Sequence, residues 1–262
     1  MSSRRGVVIL GAGNVASALA PALDAAGYSI RQVFSRDIQN AVTLAETLGS
    51  AEPIDSLDAV VGEAEFYIVS LTDKAIAEIA GQLKGTGGLW MHTSGGIPAN
   101  ELAPASGDYG VLYPLQTFSK GRPVDFADVP VFIEANTPGN LKRIREIAEK
   151  ISKIVSEADS NKRLRLHAAA VFACNFVNYL WSNADAILAE GGESLEVLYP
   201  LIKETLAKAI AISPYAAQTG PARRGDSAVT ERHVTVMTPR QATLYRLLAQ
   251  EIADTYLKDI PL

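Results

Sequence analysis

The chain has 262 residues, 48% hydrophobic and 20% charged, with a formal charge of −5. That length fits one large domain or two modest ones, and the apolar share can fill a core without disulfide staples. A single cysteine excludes an intrachain disulfide and a cysteine-rich zinc site, and the acidic balance argues against nucleic acid and anionic membrane as partners.

In chain order, the apolar, β-branched run at 6–10 predicts a buried strand, followed by a glycine turn and an Ala/Leu-rich helix over 15–26. A strand at 30–34 and a helix at 38–48 repeat the alternation. A third apolar strand at 66–71 runs into a helix at 74–83, with Thr72 and Asp73 as N-cap candidates. Strands follow at 88–93, 110–115 and 129–135, the last placed at a sheet edge because of Pro130. Thr137-Pro138 opens a helix at 139–150, and a short strand is expected at 154–157. Such alternation predicts βαβ units and a mainly parallel sheet, an α/β fold of the Rossmann kind. Beyond residue 158 the strand signals fade. One long helix is expected over 161–190; from 168 to 180 it is apolar nearly all round, which places it at the centre of a helical bundle or in a subunit interface. An amphipathic helix at 194–212, a polar loop at 213–226 and a last helix opened by the capping box Thr238-Pro239-Arg240-Gln241 complete the chain. The expected domains are 1–158, α/β, and 159–262, all-helical.

Gly11-Ala12-Gly13-Asn14-Val15-Ala16 is G-x-G-x-x-A placed directly after a strand and opening a helix. Gly11 permits the tight turn, Gly13 lets the backbone approach a pyrophosphate, and Ala16 keeps helix and strand close. With Asn14 and Val15, the helix start offers N–H groups and a positive dipole end to phosphates. An NAD site usually carries an acidic residue about 20 positions past the glycines. Here the second strand ends Phe34-Ser35-Arg36. A hydroxyl and a guanidinium suit a 2′-phosphate, so NADP(H) is the expected cofactor.

GAGNVA, VFSRD, the join VSLTDKAI at 69–76 and an all-helical second half resemble pyrroline-5-carboxylate reductases and deazaflavin-dependent NADP oxidoreductases, of the 6-phosphogluconate-dehydrogenase-like superfamily. HTSGG at 92–96, YPLQTFS at 113–119, RLHAAAVFACNFVNYL at 165–180 and QTGPARRGD at 218–226 resemble more closely a Rossmann-like family with a C-terminal domain of unassigned function. The resemblance implies a nicotinamide over the carboxyl ends of the strands, near Ser70, Leu71, Thr72 and Thr93, and a helical domain that closes the cleft and forms a homodimer. Related hydroxyacid dehydrogenases carry a lysine three or four residues before an asparagine. Here Asn175 is preceded by Val171 and Phe172 at those positions, so that mechanism does not carry over.

Hydride transfer to a carbonyl or imine needs a proton donor and dipoles that hold the substrate. His167 is the donor candidate, sharing a helix face with Val171, Cys174 and Asn178, with Asn175 beside it. The alternative is a histidine bonded to a backbone carbonyl. Ser94, at a strand's carboxyl end, is a candidate contact to substrate or nicotinamide, and Gln116 is a candidate in the same layer, with a loop cap as the alternative reading. Arg223 and Arg224 suggest an anion site for a substrate carboxylate or phosphate, or a solvated loop with Asp226 pairing one of them. His92 is expected to be structural, His233 solvated and Cys174 an inert core thiol. The three histidines are too scattered for a metal site, and none is expected. The run at 7–11 is too short for a signal peptide's apolar core, which points to the cytoplasm. The reading is an NADP(H)-dependent oxidoreductase for a small carboxylate-bearing carbonyl, imine or hydroxy substrate. A deazaflavin:NADP hydride exchanger and a non-catalytic NADP-binding protein are the alternatives.

Overall fold

The structure, a computed structural model, describes residues 6–256. It divides into two compact units, Met1–Ala173 and Cys174–Leu262. The first is built on one eight-stranded sheet: β1 (Gly6–Leu10), β2 (Ser29–Phe34), β3 (Glu52–Ile54), β4 (Phe66–Val69), β5 (Leu89–His92), β6 (Tyr109–Pro114), β7 (Val131–Ala135) and β8 (Val155–Glu157), in the order β3-β2-β1-β4-β5-β6-β7-β8. All neighbours are parallel except β6 and β7. The first six strands follow the Rossmann order, whose direction of winding reverses between β1 and β4; ligands bind outside the carboxyl ends of the strands at that crevice.

Burial follows the two-residue period of a strand. Val7 and Ile9 of β1 join one core layer with Leu19 and Leu23 of α1 (Asn14–Ala25) and Ile144 and Ile147 of α4 (Pro138–Ile151). Val8 and Leu10 join the other, with Ile76 and Ile79 of α3 (Asp73–Gln82) and the stacked rings of Tyr67 and Trp90, 4.8 Å apart. Each such aliphatic side chain, fully buried, contributes about 1.5–3 kcal/mol. α2 (Ile38–Ala45) is capped by Asp37, whose carboxylate accepts from the Gln39 N–H. The short strand β3 is not apparent in the sequence because three residues with a proline carry no period. Pro130 lies just before β7 rather than within it, and its carbonyl accepts from the Leu115 N–H at 2.8 Å. β7 is therefore an interior strand between β6 and β8, which corrects the edge position expected from that proline.

The expected single helix over 161–190 is three segments. These are α5 (Ser160–Ala170), a π-helical stretch Val171–Phe176, and α6 (Val177–Glu190). The i→i+5 bonding of the middle stretch breaks the α-helical phase on which the shared face of His167 and Asn178 was counted. The units divide inside this stretch, beyond the expected boundary at 158, because Arg163 of α5 is bonded into the sheet unit.

The second unit continues with α7 (Tyr199–Ile212), α8 (Pro214–Ala217), α9 (Ser227–His233) and α10 (Pro239–Tyr256). The capping box forms as expected: the Thr238 N–H donates to Gln241 Oε1, and the Gln241 N–H to Thr238 Oγ1. Two short helical pieces occupy the expected 213–226 loop. Among the described residues of this unit only Ala242 is buried. Phe176, Trp181, Leu206 and Ile210 are all exposed, and so is Cys174, which corrects its reading as a core thiol. These apolar side chains are solvent-exposed in the single chain. No helix among the described residues is long and apolar enough to cross a membrane.

Candidate active site

The glycine turn forms between β1 and α1. Gly11 has φ +123°, and a Cβ on it would lie 2.1 Å from the Ser70 carbonyl oxygen, so only glycine lets β1 turn this close to the end of β4. Gly13 is the N-cap of α1, and no side chain caps that end. A Cβ on Gly13 would meet nothing within 4 Å. The exposed start of α1, with Asn14 and Val15 in its first turn, is thus an open cradle of N–H groups and positive dipole, which fits a pyrophosphate. At the end of β2, Ser35 is half-buried, its N–H donating to the Ile54 carbonyl, and Arg36 is exposed. No carboxylate is the first polar group past that strand, which fits a 2′-phosphate better than a bare ribose.

The turns after β4 and β5 form the adjoining rim. Ser70 and Thr93 are buried, and the Thr93 hydroxyl donates to Ser70 Oγ at 3.4 Å. Leu71 is half-buried, and Thr72 is the exposed N-cap of α3 without a side-chain cap bond. Ser94 donates to Asp73 Oδ1 at 2.7 Å and accepts from the N–H groups of Gly96 and Ile97. Its hydroxyl is thus fully engaged in shaping the turn. Gln116 sits in an exposed loop, its Oε1 accepting from the Thr117 N–H.

His92 is wholly buried at the end of β5. Its Nδ1 accepts from the Ser94 N–H, and Nε2 lies 3.4 Å from the Pro98 carbonyl. Burial, and secondly the Arg163 charge, push its imidazole down to about 3. The folded state therefore binds fewer protons than the unfolded state below the ordinary histidine value of about 6.5. Stability tied to His92 is full above that pH and is lost as pH falls through the window toward 3. Urea unfolding should show this group alone removing about 2 kcal/mol between pH 7 and pH 5, a loss that His92→Gln should flatten.

Tyr113, near the end of β6, is 6% exposed, and its hydroxyl lies 2.9 Å from Nδ1 of the exposed His167 of α5. Burial pushes the phenol up to about 12, against the opposing Arg163 charge, so it is protonated at neutral pH. The hydroxyl donates to Nδ1 in one imidazole tautomer and accepts from Nδ1–H in the other. Gly95 lies under the ring: a Cβ there would sit 2.7 Å from His167 Cβ and Cγ. Sequence reasoning placed His167 here without Tyr113, although the YPLQTFS motif contains it. It also missed Arg163, which is fully buried and paired with Glu134 of β7. Removing one partner of such a buried pair costs about 3–5 kcal/mol.

The remaining candidates lie in the second unit. Asn175 is exposed within the π-helical stretch. Arg223 donates to the Gln218 carbonyl and lies over the Tyr256 ring at 5.3 Å, while Arg224 is exposed. Asp226 caps α9 through the Val229 N–H rather than pairing with either arginine. His233, expected to be solvated, is exposed, with Nδ1 2.7 Å from the Tyr245 hydroxyl.

A Rossmann sheet, an uncapped glycine turn at its switch point and titratable side chains at the carboxyl ends of the next strands define a dinucleotide-dependent oxidoreductase fold. The family described as NADP oxidoreductase coenzyme F420-dependent matches residues 6–88, and that described as Domain of unknown function (DUF2520) matches residues 129–252. A Bacteroides fragilis protein described as an NADP oxidoreductase is 41% identical over 96% of this chain and 98% of its own, with a TM-score of 0.91. The chain belongs to the NADP oxidoreductase family that joins these two domains. Two less similar structures share the fold. One is an imine reductase from Myxococcus stipitatus in complex with NADP+ (17% identity, 97% and 93% of the chains, TM-score 0.65). The other is a reductive aminase from Aspergillus terreus in complex with NADPH and ethyl levulinate (15%, 97% and 95%, TM-score 0.70). No curated protein matches the chain.

Proposed function

We propose that this oxidoreductase transfers a hydride between NADP(H) and a small carboxylate-bearing carbonyl, imine or hydroxy compound, with His167 and Tyr113 moving the accompanying proton. The observation that carries the reading is the 2.9 Å contact between the Tyr113 hydroxyl and His167 Nδ1 at the carboxyl end of β6. The cofactor is NADP(H), and when bound it supplies or accepts the hydride. Gly11, Gly13, Asn14 and Val15 hold its pyrophosphate, Ser35 and Arg36 its 2′-phosphate, and the turns of Ser70, Leu71, Thr72 and Thr93 line its nicotinamide end. In the reducing direction the doubly protonated ring gives its Nε2 proton to the substrate while Nδ1–H donates to the Tyr113 oxygen, and in the reverse direction the neutral ring takes the proton back at Nε2. Ser94 holds the turn beneath the ring, and Gln116 belongs to the same layer.

The test is NADPH oxidation across a panel of cyclic imines, ketones with amines, and 2-oxo acids. Turnover that needs a carboxylate on the substrate supports the reading. The match to coenzyme-dependent NADP oxidoreductases over residues 6–88 favours a second reading, hydride exchange with a deazaflavin. Bleaching of an oxidised deazaflavin by NADPH, with the panel inert, would replace the first reading with it. Tight NADPH binding with no turnover in either assay would leave a non-catalytic NADP-binding protein.

Arg36→Ala is expected to weaken NADPH binding by about 10- to 100-fold while changing NADH binding little, because a charge-assisted pair to a phosphate is worth about 1.5–3 kcal/mol. Fluorescence titration with both nucleotides checks it, and equal losses would refute the 2′-phosphate assignment. We also infer a homodimer through the helical unit, because a unit with Ala242 as its only buried described residue cannot hold itself together by apolar burial. Analytical ultracentrifugation should give twice the chain mass; a monomer at micromolar concentration would sink this.

A further inference from the structure

Arg163 is the one charged side chain among the buried described residues, and its bonds use the whole guanidinium fork. Nε donates to the Ser94 carbonyl at 3.1 Å, Nη2 to the Ile97 carbonyl, and Nη1 to Glu134 Oε2. The Ser160 hydroxyl, in the first turn of α5, lies 3.1 Å from both Glu134 oxygens. Three elements are thereby tied at one point: the start of α5, strand β7 and the turn 94–97. His167 lies four residues after Arg163, on the same face of α5 one turn further on. Of the two residues between the clamped carbonyls, Gly95 is the one that leaves room for the His167 ring. Val111 pairs with Glu134 across the sheet, so Val111, Tyr113 two residues on, and Glu134 project from one face. The clamp and the tyrosine therefore stand on the same platform.

We propose that the Arg163–Glu134 pair is a positioning device that holds α5 and the 94–97 turn at the one spacing in which His167 rests between Gly95 and the Tyr113 hydroxyl. Lysine could not replace the arginine. Its three donors radiate from a single atom, whereas the two carbonyls and the carboxylate are met by separate nitrogens of a rigid plane. A buried pair adds little stability over an apolar filling of the same volume, but it fixes direction, which is what an oriented imidazole requires. All three guanidinium nitrogens are bonded within the protein and out of solvent, so it is not an anion site for substrate. Its charge opposes the effect of burial on Tyr113, and this acts together with the geometry. The inference rests on the proton-transfer reading of His167, and its test separates the two.

The test uses the full chain labelled with ¹⁵N-histidine, the His167 signals being assigned with His167→Ala. In the neutral ring of the parent protein the two nitrogens of His167 should differ strongly in shift, Nδ1 protonated toward the Tyr113 oxygen and Nε2 free. Glu134→Gln, which keeps the volume, and Arg163→Lys should bring the two shifts together as the tautomers average. Gly95→Ala should do the same from the other side. In a substrate assay these variants should lose about 10- to 100-fold in kcat with KM little changed, the scale of a 1 Å misplacement. NADPH affinity should stay within about 2-fold. A lowered melting temperature with unchanged His167 shifts in Glu134→Gln would overturn the proposal and leave the pair purely structural. Glu134→Gln alone decides the matter if Arg163→Lys does not fold. If His167→Ala leaves turnover intact, the proton-transfer reading fails, yet the shifts still report whether the clamp orients the ring.

Discussion

His167→Ala should lower NADPH-dependent turnover by about 10²- to 10⁴-fold, the usual contribution of a positioned acid or base. The ring is exposed on α5, so its removal should cost little stability and leave NADPH affinity nearly unchanged. Tyr113→Phe is the companion variant. It keeps the buried ring, which packs beside Phe132 with centroids 6.4 Å apart, and removes only the hydroxyl. If the two residues act as one unit, the double variant should be hardly slower than His167→Ala alone, because effects within a unit are not additive. Full activity in His167→Ala, measured with NADPH saturating, would remove the residue from the reaction.

Gly11→Ala should abolish NADPH binding and destabilise the fold together. The added Cβ falls 2.1 Å from the Ser70 oxygen, a backbone atom that cannot swing away, at a φ of +123° that alanine disfavours. Backbone strain alone costs about 1–3 kcal/mol. With the clash, the loss should reach roughly 3 kcal/mol or more, a fall in melting temperature of about 6–12 °C for a domain of this size. Gly13→Ala separates the two effects. Its φ is −84°, and its Cβ would point into open space, so the fold should survive. That space is where the pyrophosphate must approach, so NADPH affinity should fall while the melting temperature of the unliganded protein stays put. Unimpaired binding in Gly13→Ala, seen by calorimetric titration, would move the cofactor away from this turn.

Much of the sheet unit was legible because its signals are local. The apolar runs of β1, β4 and β5 and the glycine turn each lie within a few residues, as does the Thr238–Gln241 capping box of the helical unit. Errors arose where a local rule met a longer-range condition. Pro130 obeyed the rule against proline inside a sheet by lying one residue outside β7, and the strand could then be interior. The helix expected over 161–190 was read as continuous, but its middle is π-helical.

The sequence by itself determined the Rossmann half and the NADP oxidoreductase class, because strand period and turn glycines act through neighbours along the chain. Only the tertiary structure decided what His167 touches. Tyr113 is 54 residues from it, and the carbonyls that Arg163 holds are 69 and 66 residues from that arginine. Nothing in the local pattern of either partner encodes such a meeting. It exists because the sheet order puts β5, β6 and β7 side by side, and side chains of α5 reach Tyr113, Glu134 and the turn after β5.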